Sequence, residues 1–283
     1  MNSTVKSLIF WLGVIVFAAV IWNVMRSKQA EAPQSVPSQV AMTSWPGTIV
    51  DLSHTYDAST IFWPTAEPFT LDKVADGMTP GGYYYAANNF RTAEHGGTHL
   101  DAPVHFASGK HAVDGIPLDQ LVGFAAVVDV AAKCEANADY LVTQADLEAW
   151  ERTHGQIPAG AILLIRTDFS KRWPDAARYL GTAERGAAAV PKLHFPGIHP
   201  DAARWIVANR SIKAIGIDTA SIDYGQSTDY LTHRALYERD IPGLENLANL
   251  DRLPPTGAQI VALPMKIGGG SGAPLRAIAI VKP

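Results

Sequence analysis

The chain has 283 residues, 47% hydrophobic and 18% charged, which is long and apolar enough to bury a full core. A formal net charge of -4 with no block of Lys or Arg argues against nucleic acid, whose phosphates need a basic face. Cys134 is the only cysteine, so an intrachain disulfide and a cysteine-based zinc site are both excluded, and packing is its expected role.

In chain order, the first feature is residues 8–25, a run without a formal charge that carries Trp11 and Trp22 toward its two ends. Its length and aromatic edges predict one N-terminal membrane-spanning helix. Asn23, Val24, Met25 and Arg26 stand where a cleavage site needs small residues, so residues 1–30 read as an anchor or uncleaved signal. Lys6 faces Arg26 and Lys28 across the span, which leaves orientation open on charge alone. A periplasmic catalytic domain is the expectation, because a domain C-terminal to an N-terminal apolar segment is usually exported. Residues 31–44 are rich in Pro, Ser and Gln and read as a linker to a domain at 45–283.

Beyond the linker, runs of Val, Ile, Ala and aromatic residues bounded by Gly or Pro predict strands at 48–53, 83–90, 124–130, 161–167, 214–218, 259–263 and 275–281. Thr143 and Asp146 form a capping box that opens a helix through Trp150 to a stop near Gly155. Pro200 starts a second helix that ends near Asn209, and 232–239 predicts a shorter third. The class is α/β with a large mixed sheet.

The segment from Glu94 to His105 holds three histidines and an aspartate, and reads as a metal site. Neutral imidazole with carboxylate suits zinc or manganese, and so short a segment costs little loop entropy to organise. Gly96, Gly97, Thr98 and Pro103 oppose a helix, so a tight turn leading into an extended segment is expected. There His99 and Asp101 share a side, and the two glycines let His95 fold round to meet them. The His-x-His-x-Asp-His order of metallo-β-lactamases is absent, and no Gly-x-Ser-x-Gly elbow supports a serine hydrolase.

The ordered set His95-x-Gly97-Thr98-His99-x-Asp101-x-Pro103-x-His105 resembles the defining motif of the cyclase-like metal-dependent hydrolases, a family that includes bacterial kynurenine formamidase and isatin hydrolase. The likeness continues through Asp51-Leu52-Ser53-His54, Trp63-Pro64, residues 216–223, His233-Arg234-Ala235-Leu236, Glu245-Asn246-Leu247 and Leu263-Pro264-Met265-Lys266. The resemblance implies a swivelling β/β/α fold, one or two divalent ions (Zn or Mn) and a homodimer or higher homo-oligomer. It implies that His95, His99 and Asp101 hold a first ion, and that Asp101 bridges to a second completed by His233 and Glu245. From sequence alone, His233 and Glu245 would read as ordinary surface polarity. His105 matches the family's proton-moving histidine, with a fourth metal ligand as the alternative.

The expected activity is hydrolysis of a non-peptide C–N bond in a small aromatic or cyclic amide, with water activated by the metal and His105 as general acid/base. A cyclase or dehydratase on the same fold and a membrane-tethered binding module without turnover remain open. Trp63 is the candidate substrate-binding aromatic; Phe62, Tyr83, Tyr84 and Tyr85 are expected in the core. Glu94 is a candidate support for a ligand histidine, the run 268–272 a flexible connection near the site, and Arg276 a partner for a substrate carboxylate, Asp218 or Asp223.

Overall fold

A three-residue strand in the histidine motif closes the main sheet on itself. The computed structural model describes residues 47–282 together with Trp22. The expected anchor at 8–25 and linker at 31–44 therefore lie outside the described residues, Trp22 excepted. Among the described residues no helix is long and apolar enough to cross a membrane.

The strands are β1 (Thr48–Asp51), β2 (Thr70–Met78), β3 (Tyr84–Arg91), β4 (His99–Asp101), β5 (Val122–Asp129), β6 (Leu141–Val142), β7 (Ile162–Arg166), β8 (Gly197–Ile198), β9 (Ala214–Ile217), β10 (Gly243–Glu245), β11 (Thr256–Pro264) and β12 (Gly272–Val281). The helices are α1 (Ala131–Ala136), α2 (Gln144–His154), α3 (Ala176–Leu180), α4 (Pro200–Asn209) and α5 (Leu231–Tyr237). The main sheet runs β1-β12-β11-β5-β7-β9-β10-β4, and β4 pairs back onto β12, so seven strands form a closed ring with β1 outside it. β5, β7, β9 and β10 pair in parallel, and the remaining pairings are antiparallel. One edge of β12 accepts β4 along residues 272–274 and β1 along 278–281.

Side-chain alternation divides the apolar residues between two cores. Ala125, Val127, Ile162 and Leu164 point into the ring, where they meet Leu100, Leu244, Ile260, Ala262, Ala273 and Ala277. Their neighbours Ala126, Val128, Leu163 and Ile165 face outward under Leu147 and Trp150 of α2, Ile206 of α4 and Leu236 of α5. Strands covered on both faces need continuous apolar runs, which is why β7 reads Ile-Leu-Leu-Ile.

The helix expectations hold closely. Thr143 and Asp146 cap α2 reciprocally and Gly155 ends it with φ 85°. α4 spans the expected residues, while α5 stops short of 239 in a turn where Asp240 is left-handed at φ 54°. The strand expected at 83–90 exists, but outside the main sheet: β2 and β3 make a separate two-stranded hairpin. Tyr83, Tyr84 and Tyr85, expected in the core, are 63%, 61% and 52% exposed on that hairpin. Their strand lacks a covering layer, which an apolar run by itself does not reveal.

Candidate metal centre and active site

β4 does the first positioning step. Leu100 fills the ring, so His99 and Asp101 on either side of it point outward beneath the helices. β10 lies antiparallel to β4 with Glu245 opposite His99, which puts a second carboxylate on the same face. α5 lies over this face and supplies His233. His99, Asp101, His233 and Glu245 are all buried, each 4% exposed or less.

The loop before β4 delivers His95. Gly97 sits at φ 57°, and a Cβ there would come 2.6 Å from the Tyr56 ring. The Tyr56 hydroxyl in turn donates to the carbonyls of Gly96 and Thr98, at 2.5 and 2.9 Å, and fixes the turn. On the far side a Cβ at Gly272 would lie 2.5 Å from Cε1 of His95. The glycine-rich run 268–272 is therefore not simply a connection: its last residues form the close wall against which His95 packs.

Five side chains converge. His95 Nδ1 lies 2.6 Å and His99 Nε2 3.0 Å from Asp101 Oδ1. His233 Nε2 lies 3.4 Å from Asp101 Oδ2 and 3.2 Å from Glu245 Oε1, and Glu245 Oε2 is 3.4 Å from His99 Nε2. These atoms make two donor sets, His95-His99-Asp101 and Asp101-His233-Glu245, sharing Asp101.

The hydrogen bonds on the outer ring nitrogens define what these sets can hold. His99 Nδ1–H donates to the Gly97 carbonyl (2.9 Å), and His233 Nδ1–H to Asp223 (2.5 Å). Ser271 donates to Glu94 (2.6 Å), so its oxygen accepts from His95 Nε2–H (2.9 Å). The inner nitrogens of His99 and His233 thus present lone pairs toward both Asp101 and Glu245 and that of His95 toward Asp101, and among the described residues buried His99 Nε2 has no hydrogen-bond partner. Acceptors facing acceptors require positive charge between them. Ligand atoms around a tetrahedral ion, each about 2.1 Å from it, stand roughly 3.4 Å apart, which the Asp101-His233-Glu245 set matches at 3.2 and 3.4 Å while His95 and His99 lie tighter on Asp101 at 2.6 and 3.0 Å. The residues present fit a divalent cation.

The electrostatics agree. Burial opposes the charged form of Asp101, yet His95, His233 and His99 outweigh it and hold the carboxyl well below the usual range. Burial likewise opposes protonation of His233, but Asp101, Asp223 and Glu245 raise it well above the ordinary value. Burial and the Asp101 charge push Glu245 up.

His105 follows β4 on a 3₁₀ turn at Pro103–His105. Its ring stacks on His95 with centroids 3.8 Å apart, and Nε2 is 4.0 Å from Asp101 Oδ2, outside both donor sets. Burial draws it down to about 4, against the pull of Asp101. The five inward groups form the floor of a pocket of about 360 Å³. Its walls include Ile61, Phe62, Trp63, Phe106 and Tyr230, and among the described residues no Lys or Arg lines it. Trp63 arrives there because Phe62 bridges to Gly96 and the Gly97 amide donates to the Ile61 carbonyl at 2.9 Å. Tyr230 holds a left-handed φ of 50°, an unusual conformation for a bulky residue and one found where a site demands it.

All the residues singled out as ligands or proton carrier come together, and Trp63 stands at the wall. Glu94 supports His95 through Ser271. Arg276 does neither of the things expected of it: it pairs with Asp51 at 2.6 Å, away from the pocket. Sequence reasoning gave Asp223 only as a partner for Arg276 and did not single out Tyr237 or Ser271. Tyr237 donates to Asp101 Oδ2 at 2.9 Å and lies one helical turn from His233, a spacing that could have exposed it.

Residues 50–224 match the family described as "Putative cyclase". An isatin hydrolase of Roseibium aggregatum is 36% identical over 71% of this chain and 76% of its own length. A kynurenine formamidase of Salinibacter ruber is 31% identical over 81% of this chain and 96% of its own. The solved structure of isatin hydrolase A from Ralstonia solanacearum superposes with a TM-score of 0.74 at 38% identity, covering 83% of this chain and 92% of that one. With its own motif, ring and converging donors alongside these likenesses, the chain belongs to the cyclase family.

Proposed function

We propose that this chain is a metal-dependent amidohydrolase that opens a non-peptide C–N bond in an uncharged, flat cyclic amide. The observation that carries the reading is the convergence of three imidazole nitrogens and two carboxylates, all acceptors, on the floor of an apolar pocket. His95, His99 and Asp101 would hold one zinc or manganese ion, and Asp101, His233 and Glu245 a second. Such a cation lowers the pKa of water and polarises a carbonyl oxygen, so an amide becomes open to attack near neutral pH.

The chain's own residues supply the rest. Trp63, Phe106 and Tyr230 offer apolar faces to a planar ring and exclude water from around it. His105, stacked against His95 and free of both donor sets, is placed to carry a proton to the departing nitrogen. Asp223 and Ser271 hold their histidines in the tautomer that points a lone pair inward. Among the described residues no Lys or Arg stands in the wall to partner a substrate carboxylate, which favours a cyclic amide such as isatin over N-formylkynurenine.

The test is a panel of both compounds with purified full-length protein, stripped by chelator and reloaded with zinc or manganese. Chelator-sensitive opening of the cyclic amide, with solvent oxygen in the new carboxylate, is the expected result. Turnover without water uptake would point to a cyclase or dehydratase, and tight metal binding without turnover to a binding module. We also propose that residues 8–25 tether the enzyme to the periplasmic face of a membrane, a reading supported by sequence alone and tested by alkaline carbonate washing of membranes.

A further inference from the structure

The pocket floor is a two-by-two patch of strand positions. Alternation puts His99 and Asp101 of β4 on one face, and the register sets Glu245 of β10 opposite His99 and Gly243 opposite Asp101. Three of the four positions carry groups that could hold a metal, and the fourth has no side chain. A hydroxyl occupies its space. A Cβ at Gly243 would come 2.5 Å from Tyr237 Oη, and that hydroxyl, on a wholly buried ring, donates to Asp101 Oδ2 at 2.9 Å.

The two oxygens of Asp101 are held from different parts of the chain. Oδ1 faces His95 and His99, which belong to the same short segment as Asp101 itself. Oδ2 faces α5, where His233 Nε2 lies 3.4 Å from it and Tyr237, four residues on, shares the helix face. α5 is fixed in turn: the amides of Thr232 and His233 donate to Asp223 at 3.3 and 3.1 Å, and the Tyr237 ring packs edge-on to His233 with centroids 5.2 Å apart. One helix therefore carries both the histidine of the second donor set and the hydrogen bond that turns the shared carboxylate toward it.

We propose that Tyr237 is the positioning residue for the second ion: its hydroxyl, admitted by Gly243, holds the Asp101 carboxylate in the plane that serves both donor sets. The inference rests on the two-ion form of the function proposed above. The terminal torsion of an aspartate is soft, so its carboxylate keeps one plane only when its neighbours fix it. Among the described residues Tyr237 is the only hydroxyl bonded to Asp101. Without it Asp101 can turn Oδ2 away and still serve the motif histidines through Oδ1, so the loss falls on one ion.

Stepwise metal affinities test this, with full-length protein in mild detergent titrated with zinc against a chromophoric chelator. The wild type should bind in two steps. Tyr237→Phe, which removes a single oxygen from a buried ring, should weaken the second step by about 10- to 100-fold while the first stays within about three-fold. Gly243→Ala, which keeps the tyrosine but crowds its hydroxyl, should show the same selective loss. With manganese, paramagnetic resonance should find a coupled pair in the wild type and an isolated ion in Tyr237→Phe at the same metal concentration. Two unchanged steps in Tyr237→Phe, or two equally weakened ones, would overturn the proposal and leave the two-ion reading standing, whereas a single step in the wild type would overturn both. If Gly243→Ala fails to fold, Tyr237→Phe decides alone.

Discussion

The metal floor and the β2–β3 hairpin break the ordinary rule of burial in opposite directions. In one, two carboxylates and two imidazoles are almost wholly buried; in the other, seven large apolar side chains stand in solvent. Buried charge is tolerated only when something balances it, and exposed apolar surface only when something covers it. Both regions are therefore incomplete by the same physical test. The floor's fixed lone pairs fit a cation, and the hairpin's apolar side chains are left uncovered by the ring among the described residues.

The comparison breaks most sharply at Asp101, whose two oxygens face both donor sets. Asp101→Ala should leave both sets without their shared carboxylate, and metal analysis should find less than one ion per chain with turnover abolished. A variant that keeps two ions would sink the shared-ligand reading. His105→Ala comes next: the floor stays intact, so metal content should hold while kcat falls by roughly 10² to 10⁴. Loss of metal there would make His105 a ligand. Glu94→Gln should act one step further out, because it weakens the Ser271 acceptor that orients His95; a drop of about 10- to 100-fold in metal affinity, read by competition with a chromophoric chelator, is the expected range. The smallest pair compares stabilities. Leu100→Ala, inside the ring, should cost about 2–5 kcal/mol by denaturant titration, and Tyr85→Ser on the hairpin within about 0.5 kcal/mol. Equal costs would mean that the hairpin is packed after all.

How legible this was from residues alone depended on range. The motif at 94–105 announced its chemistry because its residues are neighbours in sequence, and the alternation that sends Leu100 inward fixed the side that His99 and Asp101 would share. The second donor set was different. His233 and Glu245 sit on a seven-residue helix and a three-residue strand, and only their likeness to a known family tied them to Asp101. Ring closure was beyond reach, since it rests on three residues of β4 pairing with β12 across most of the chain. Ser271 stayed hidden for a related reason: glycines around it masked a position whose importance comes from a ring nitrogen 2.9 Å away. The hairpin's strand was visible from its aromatic run, but exposure is decided by whether another layer exists, which strand propensity does not encode.

β4 is hydrogen-bonded along both edges, to β10 on one side and β12 on the other, and so has no free edge from which to fray. Peeling it away would open the ring between two core strands at once. The amide protons of His99, Leu100 and Asp101 should then exchange with solvent only when the whole domain unfolds, at the slow limit of the molecule. An ion bound through this strand would be coupled to global unfolding instead of local breathing, so saturating metal should raise the melting temperature in step with its concentration above the dissociation constant. A strand of only three residues thus becomes the thermodynamic link between holding a cation and remaining folded.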